Sequence, residues 1–119
     1  MSRVKKGMTA HRRHKKVLAL TKGHRATRHS LYRRAHESML KSLSYAYFHR
    51  RERKGDLRRL WILRVNAASR VHGLTYSQFI DGLKKSGVEI NRKMLADMAI
   101  REPESFANLV TIAKGKVQG

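Results

Sequence analysis

Seven histidines stand in this chain of 119 residues, and His11 and His14 share one face of any helix that carries them. A metal centre would need more ligands than that pair. There is no cysteine, no H-E-x-x-H and no neighbouring carboxylate to complete a site. Among so many cations a divalent ion is repelled. The histidines are therefore read as hydrogen-bond donors to phosphate or as stacking partners for bases, and no cofactor is expected. Eight acids in the whole chain leave little material for a catalytic carboxylate pair. No G-x-x-x-x-G-K-[ST] loop or G-x-S-x-G elbow is present, so Ser69 and Ser77 carry no nucleophile signature. Neither an enzyme nor a small-molecule substrate is indicated.

What remains is guanidinium and ammonium chemistry. The stretch "HRRERKGDLRRLW", residues 49 to 61, holds Arg50, Arg51, Arg53, Lys54, Arg58 and Arg59 before turning apolar at Leu60 and Trp61. From Met1 to His72 there are 21 Lys and Arg against three acids, a net of +18; from Gly73 onward seven stand against five, a net of +2. A merely solvated surface does not call for such a half, which opposes its own compaction. Nucleic acid has the charge density that answers it. Arginine outnumbers lysine, favouring bidentate phosphate contacts and stacking. Tyr32, Tyr45, Tyr47 and Phe48 lie among the cations and are candidates to stack on unpaired bases. Trp61 is read as a core residue.

These side chains need long, simple elements to carry them. The first thirty residues hold ten cations and no acid. "AHRRHKKVLALTKG" can form a short helix ending at Gly23, but Val17, Leu18 and Leu20 are too few for a core. In isolation this segment is expected to be disordered. Ser30 to His72 lacks proline and predicts one helix of about 40 residues, roughly 60 Å long, with Gly55 as a possible bend. Ser30 is its expected N-cap, and Glu37–Lys41 an i,i+4 pair. Leu57, Leu60, Trp61, Ala68 and Val71 form an apolar face.

Beyond Gly73, a helix stop, Thr75 and Gln78 read as a capping box before Phe79, Ile80 and Leu83. Asn91 caps a segment burying Leu95, Met98 and Ala99. Pro103 opens a third short helix with Phe106, Leu109, Val110 and Ala113 inward. No strand alternation is visible. The class is all-α: a long basic helical extension, residues 1–72, and a small domain of about three short helices, residues 73–119, packed on the end of the long helix. No segment has the roughly 18 apolar residues of a membrane span. The start lacks the apolar core of a secretory signal, and its acid-free basicity leaves a transit peptide as a minor reading.

The blocks "RVKKGMTAHRRHKKVL", "YAYFHRRERKGDLRRLWILRVNAASR" and "GLTYSQFIDGLKKSGVEINRKMLADMAIREPESF" resemble the bacterial and organellar large-subunit ribosomal protein family numbered twenty. The resemblance implies a non-enzymatic protein of the cytoplasmic ribosome, with an organellar ribosome as the minor alternative. It implies direct binding to large-subunit ribosomal RNA in early assembly, beside neighbouring ribosomal proteins. In some members the C-terminal domain also binds its own messenger RNA and represses translation.

The family's basic helix motif falls on Arg50, Arg51, Arg53, Lys54, Arg58, Arg59 and Arg64, and its basic tail on Arg3, Lys5, Lys6, Arg12, Arg13, Lys15 and Lys16. Lys22, Arg25, Arg28, Arg33 and Arg34 complete the candidate RNA-binding set. The chain departs from the family at His24, Ala26, Phe48, His49 and Gly55. The alternative reading is a DNA-binding, nucleoid-type protein, since three short helices can imitate a helix-turn-helix. Against it, the charge lies in the other half. A membrane-active helix would need an apolar face through residues 49–56, which is absent.

Overall fold

Forty consecutive residues of good helix formers, unbroken by proline, make the helix they predict. The computed structural model describes residues 7–117, so Arg3, Lys5 and Lys6 lie outside the described residues. Its elements are α1 (Gly7–Leu20), a 3₁₀ turn (Ala26–His29), α2 (Tyr32–Val71), α3 (Tyr76–Lys85), α4 (Arg92–Arg101) and α5 (Pro103–Val117). All are helical among the described residues, and α2 runs continuously through Gly55. None is long and apolar enough to cross a membrane. The chain packs as two compact units, Met1–Arg51 and Glu52–Gly119, which divide inside α2.

In the first unit, the segment expected to be disordered in isolation forms α1 and the 3₁₀ turn. Its packing is slight: Val17, Thr21 and Ala35 are buried, and the His14 ring stacks on Tyr32 at 3.8 Å. His24 Nδ1 and Ser38 Oγ, hydrogen-bonded at 2.6 Å, tie the turn to α2. Ser30 is not the N-cap of α2. Its hydroxyl donates to Thr27 O at 3.3 Å and closes the 3₁₀ turn, while Leu31 O accepts from Ala35 N–H and begins the long helix. Glu37 pairs with Arg34 at 3.5 Å, one turn before it, instead of with Lys41. Lys41 is drawn to the Tyr45 ring, with its Nζ 5.1 Å from the centroid.

The second unit contains the principal core: Val65, Leu74, Phe79, Leu83, Leu95, Ala96, Phe106, Val110 and Ala113. The α2 face that joins it is rotated from the expected one. Trp61, Val65, Ala68, Ser69 and His72 are buried or half-buried, whereas Leu57, Leu60 and Val71 are exposed. At 3.6 residues per turn, Leu60 and Val71 stand about 140° and about 120° around the helix from Val65. Ser69 hides this register in the sequence, because its buried hydroxyl is satisfied internally by Asn66 O at 3.1 Å.

Two glycines in the left-handed region end α2 and α3 in the same way. After α2, Leu74 N–H donates to Ser69 O and Gly73 N–H to Arg70 O, with Gly73 at φ 83°. After α3, Val88 N–H reaches Leu83 O and Gly87 N–H reaches Lys84 O, with Gly87 at φ 72°. Both are Schellman turns that satisfy otherwise orphaned carbonyls. The Thr75–Gln78 capping box forms, Asn91 Oδ1 accepts from Met94 N–H at 2.9 Å, and Pro103 opens α5. Of the expected inward residues, Phe79, Leu83, Leu95, Phe106, Val110 and Ala113 are buried, while Ile80, Met98, Ala99 and Leu109 are half-buried.

Candidate nucleic-acid interface

Every described member of the candidate set is exposed. Arg12, Arg13, Lys15 and Lys16 ride on α1, Lys22 and Arg25 lie in the following turn, and Arg28 lies on the 3₁₀ turn. Arg33 and Arg34 begin α2, and Arg50, Arg51, Arg53, Lys54, Arg58, Arg59 and Arg64 follow along it. The structure gathers some of these and leaves others apart. Arg12, Lys15 and Lys16 border one shallow surface with Ala19. Arg28 and Arg34 converge on a groove of about 690 Å³ in the first unit.

That groove also takes in residues absent from the candidate set. Ser38, Lys41, Tyr45 and His49 line it beside the two arginines. The Tyr45 and His49 rings lie nearly parallel, 5.7 Å apart, with Lys41 over Tyr45. The signal was available in the spacing: Arg34, Ser38, Lys41, Tyr45 and His49 recur at i, +4, +7, +11 and +15, one face of a helix. Such a strip offers ring faces and cations together, the combination that holds unpaired nucleotides. On another side of α2 the Arg51 guanidinium stacks 3.8 Å from the Tyr47 ring centroid, and Tyr47 meets Phe48 edge-on.

The basic tract of α2 is different in kind. Residues 51 to 60 are all exposed. At 3.6 residues per turn, Arg50, Lys54, Arg58, Arg51, Arg59 and Arg53 project at roughly 0, 40, 80, 100, 180 and 300° around the axis. This is a collar of charge, with no uncharged side wide enough to lie on a protein surface. Asp56 pairs with Arg59 at 3.5 Å, and it is the one carboxylate within ion-pair distance of any of these cations among the described residues. Arg34 is likewise held only by Glu37. Both pairs are exposed, so each is worth at most about 1 kcal/mol and yields readily to a phosphate.

Beyond Gly73 the cations are fewer and more often engaged. Arg92 Nε donates to Tyr76 Oη at 2.7 Å, Lys85 pairs with Asp81 and Arg101 with Asp97, each at 2.9 Å. Among the described residues no three His, Asp or Glu side chains group as a metal centre requires.

The sequence matches the family described as ribosomal protein L20 over residues 3–109. The chain belongs to the ribosomal protein L20 family. It is similar to the large ribosomal subunit protein bL20 of Dehalococcoides mccartyi, 64% identical over 107 residues and covering 90% of each chain. The protein of the same name from Moorella thermoacetica is 58% identical over 117 residues, 98% of this chain and 97% of the relative. That from Thermomicrobium roseum is 57% identical over 114 residues, 96% and 97% of the two chains. The L20 family consists of structural ribosome components, and this chain is accordingly not an enzyme.

Proposed function

We propose that the protein is a structural part of the large subunit of a bacterial-type cytoplasmic ribosome, and that it binds the large-subunit ribosomal RNA directly, early in assembly. The observation that carries this reading is the collar of exposed, almost unpaired cations around α2 between Arg50 and Arg59. A helix meant to rest on one surface needs charge on one side. A helix charged all round suits a path between RNA strands, with phosphates replacing solvent on every side. The α1 cations, the turn and the groove at Arg28 and Arg34 offer further phosphate contacts within the first unit. The basic stretch of residues 1–72 serves as the RNA-binding extension and residues 73–119 as the globular part, beside which neighbouring ribosomal proteins pack. The resemblance also supports binding of the protein's own messenger RNA by the C-terminal part.

The test is the salt dependence of binding to a large-subunit ribosomal RNA fragment. Each phosphate neutralised on a duplex adds about −0.9 to the slope of log K against log salt, or about −0.7 on a single strand. Changing Arg50, Arg51, Arg53, Arg58 and Arg59 together to glutamine is expected to flatten that slope by about 3.5 to 4.5 units. The second unit stays folded, because its core residues lie elsewhere. An unchanged slope means that these arginines face only solvent.

A further inference from the structure

The groove of the first unit distributes its charge and its rings unevenly. It follows α2 from Arg34 to His49, and Arg28 joins it from the 3₁₀ turn. Along the helix the cations come first and the rings last. Lys41 stands between Arg34 and the rings, its Nζ 5.1 Å from the Tyr45 centroid. Tyr45 and His49 lie nearly parallel at 5.7 Å, and both are exposed, so ring faces remain open to a ligand. Among the described residues no carboxylate lies within ion-pair distance of Arg28 or Lys41, and Glu37 holds Arg34 only through an exposed contact of 3.5 Å. The volume of about 690 Å³ falls in the range of roughly 300–1,000 Å³ typical of small-ligand sites.

We infer that this groove is a small-molecule site, which in the RNA-free protein binds a free nucleoside triphosphate, its base stacked at Tyr45 and His49 and its phosphates at Arg28, Arg34 and Lys41. The proportion of charge to ring points to that ligand. Along an RNA strand each base comes with one phosphate charge, whereas this groove sets three cations beside one platform of rings. A nucleoside triphosphate clusters several charges beyond a single base. Length agrees. Arg34 and Tyr45 are 11 residues apart, about 16 Å along the axis at 1.5 Å per residue. A nucleoside monophosphate is too short to reach from the rings to Arg34, but a triphosphate chain met by the long arginine side chain spans the interval. Inorganic polyphosphate would satisfy the cations and leave the rings unused. The exposed Arg34–Glu37 pair yields to the terminal phosphates, which offer the guanidinium a bidentate partner of higher charge. The inference stands apart from the RNA-binding reading; where both hold, nucleotide and RNA exclude one another at Arg28 and Arg34.

The experiment loads the full chain, free of RNA, with a fluorescent ATP analogue and follows its anisotropy as unlabelled ATP, inorganic tripolyphosphate or the dinucleotide pApA displaces it. The displacement constant of ATP is expected to be about tenfold lower than that of tripolyphosphate, the share that stacking supplies. Tyr45→Ala is expected to raise the ATP constant about tenfold and to leave the tripolyphosphate constant in place, while Tyr45→Phe keeps both. Tyr45 is half exposed and outside the core, so these variants stay folded. Arg28→Gln is expected to raise both constants about tenfold, the loss typical of a charge-assisted contact. Lys84→Gln, which removes one positive charge from the other unit, moves neither. Equal constants for ATP and tripolyphosphate overturn the inference, because charge alone is then being read. So does a Tyr45→Ala variant that binds ATP as the parent does, or an Arg28→Gln constant that matches Lys84→Gln. Displacement by pApA as strong as by ATP assigns the groove to RNA and overturns the inference as well. None of these failures touches the proposed function, whose salt-slope test reads the collar of α2 and not this groove.

Discussion

Gly82 shows how much a single position can decide. It lies where α3 meets α5, and a Cβ added there would stand 2.6 Å from Ala113 O and 2.8 Å from Ala113 Cα. Both are backbone atoms and cannot swing aside. Alanine would gain about 1 kcal/mol of helix propensity but would force the two helices apart, an overpacking that costs about 1–3 kcal/mol. Because both neighbours are main chain, the upper part of that range applies. Gly82→Ala is expected to lower stability by about 1–2 kcal/mol, or a melting temperature lower by about 4–15 °C. A melting temperature that rises would mean that α3 and α5 do not touch at this point. Ala26 is the opposite case. It stands at φ 55°, a left-handed conformation that favours glycine.

At the scale of elements, α1 and α3–α5 are helices for different reasons. The three C-terminal helices share the core around Phe79 and Phe106, whose rings lie 5.1 Å apart, and α3 and α4 carry filled N-caps. Within α1, Val17 is the one buried residue. Local opening follows the apolar area that must be exposed. In the RNA-free protein, amides of α1 are expected to exchange at least about a hundredfold faster than those of α3 and α5. Equal protection would show that α1 is held by more than Val17, Thr21 and the His14–Tyr32 stack. The basic tract of α2 stands between these cases. Arg50–Lys54 and Lys54–Arg58 are like-charge i,i+4 pairs, each opposing the helix by about 0.2–0.5 kcal/mol. Neutralisation by phosphate removes that penalty.

For the molecule as a whole, a formal charge of +20 favours any polyanion, so charge by itself does not separate ribosomal RNA from DNA. The arrangement of the charge does. A helix-turn-helix reads the major groove with cations along its second helix, but Arg92 of α4 is engaged by Tyr76 and α4 otherwise contributes Lys93 and Arg101. In competition at physiological salt, a structured large-subunit RNA fragment is expected to displace duplex DNA of equal length, with at least about a tenfold preference. Equal affinity would favour the nucleoid reading instead.

Much of this protein was legible from residue order alone, wherever one local interaction decides the outcome. The all-helical class, the forty-residue α2, the Thr75 and Asn91 caps, the glycine stop at Gly73 and the cationic half all follow from propensity, hydrogen-bond chemistry or simple charge. Tertiary structure decided what depends on neighbours distant in sequence. It turned the buried face of α2 to Val65 and Ser69 and away from Leu60, because only the completed core shows which side is covered. It moved Ser30 into the 3₁₀ turn and Glu37 onto Arg34, because competing partners at hydrogen-bond range cannot be ranked from spacing. It also left Trp61 half inside the core and half facing Arg64 and Lys93, a division that no periodicity expresses, since burial belongs to the assembled surface and not to the residue.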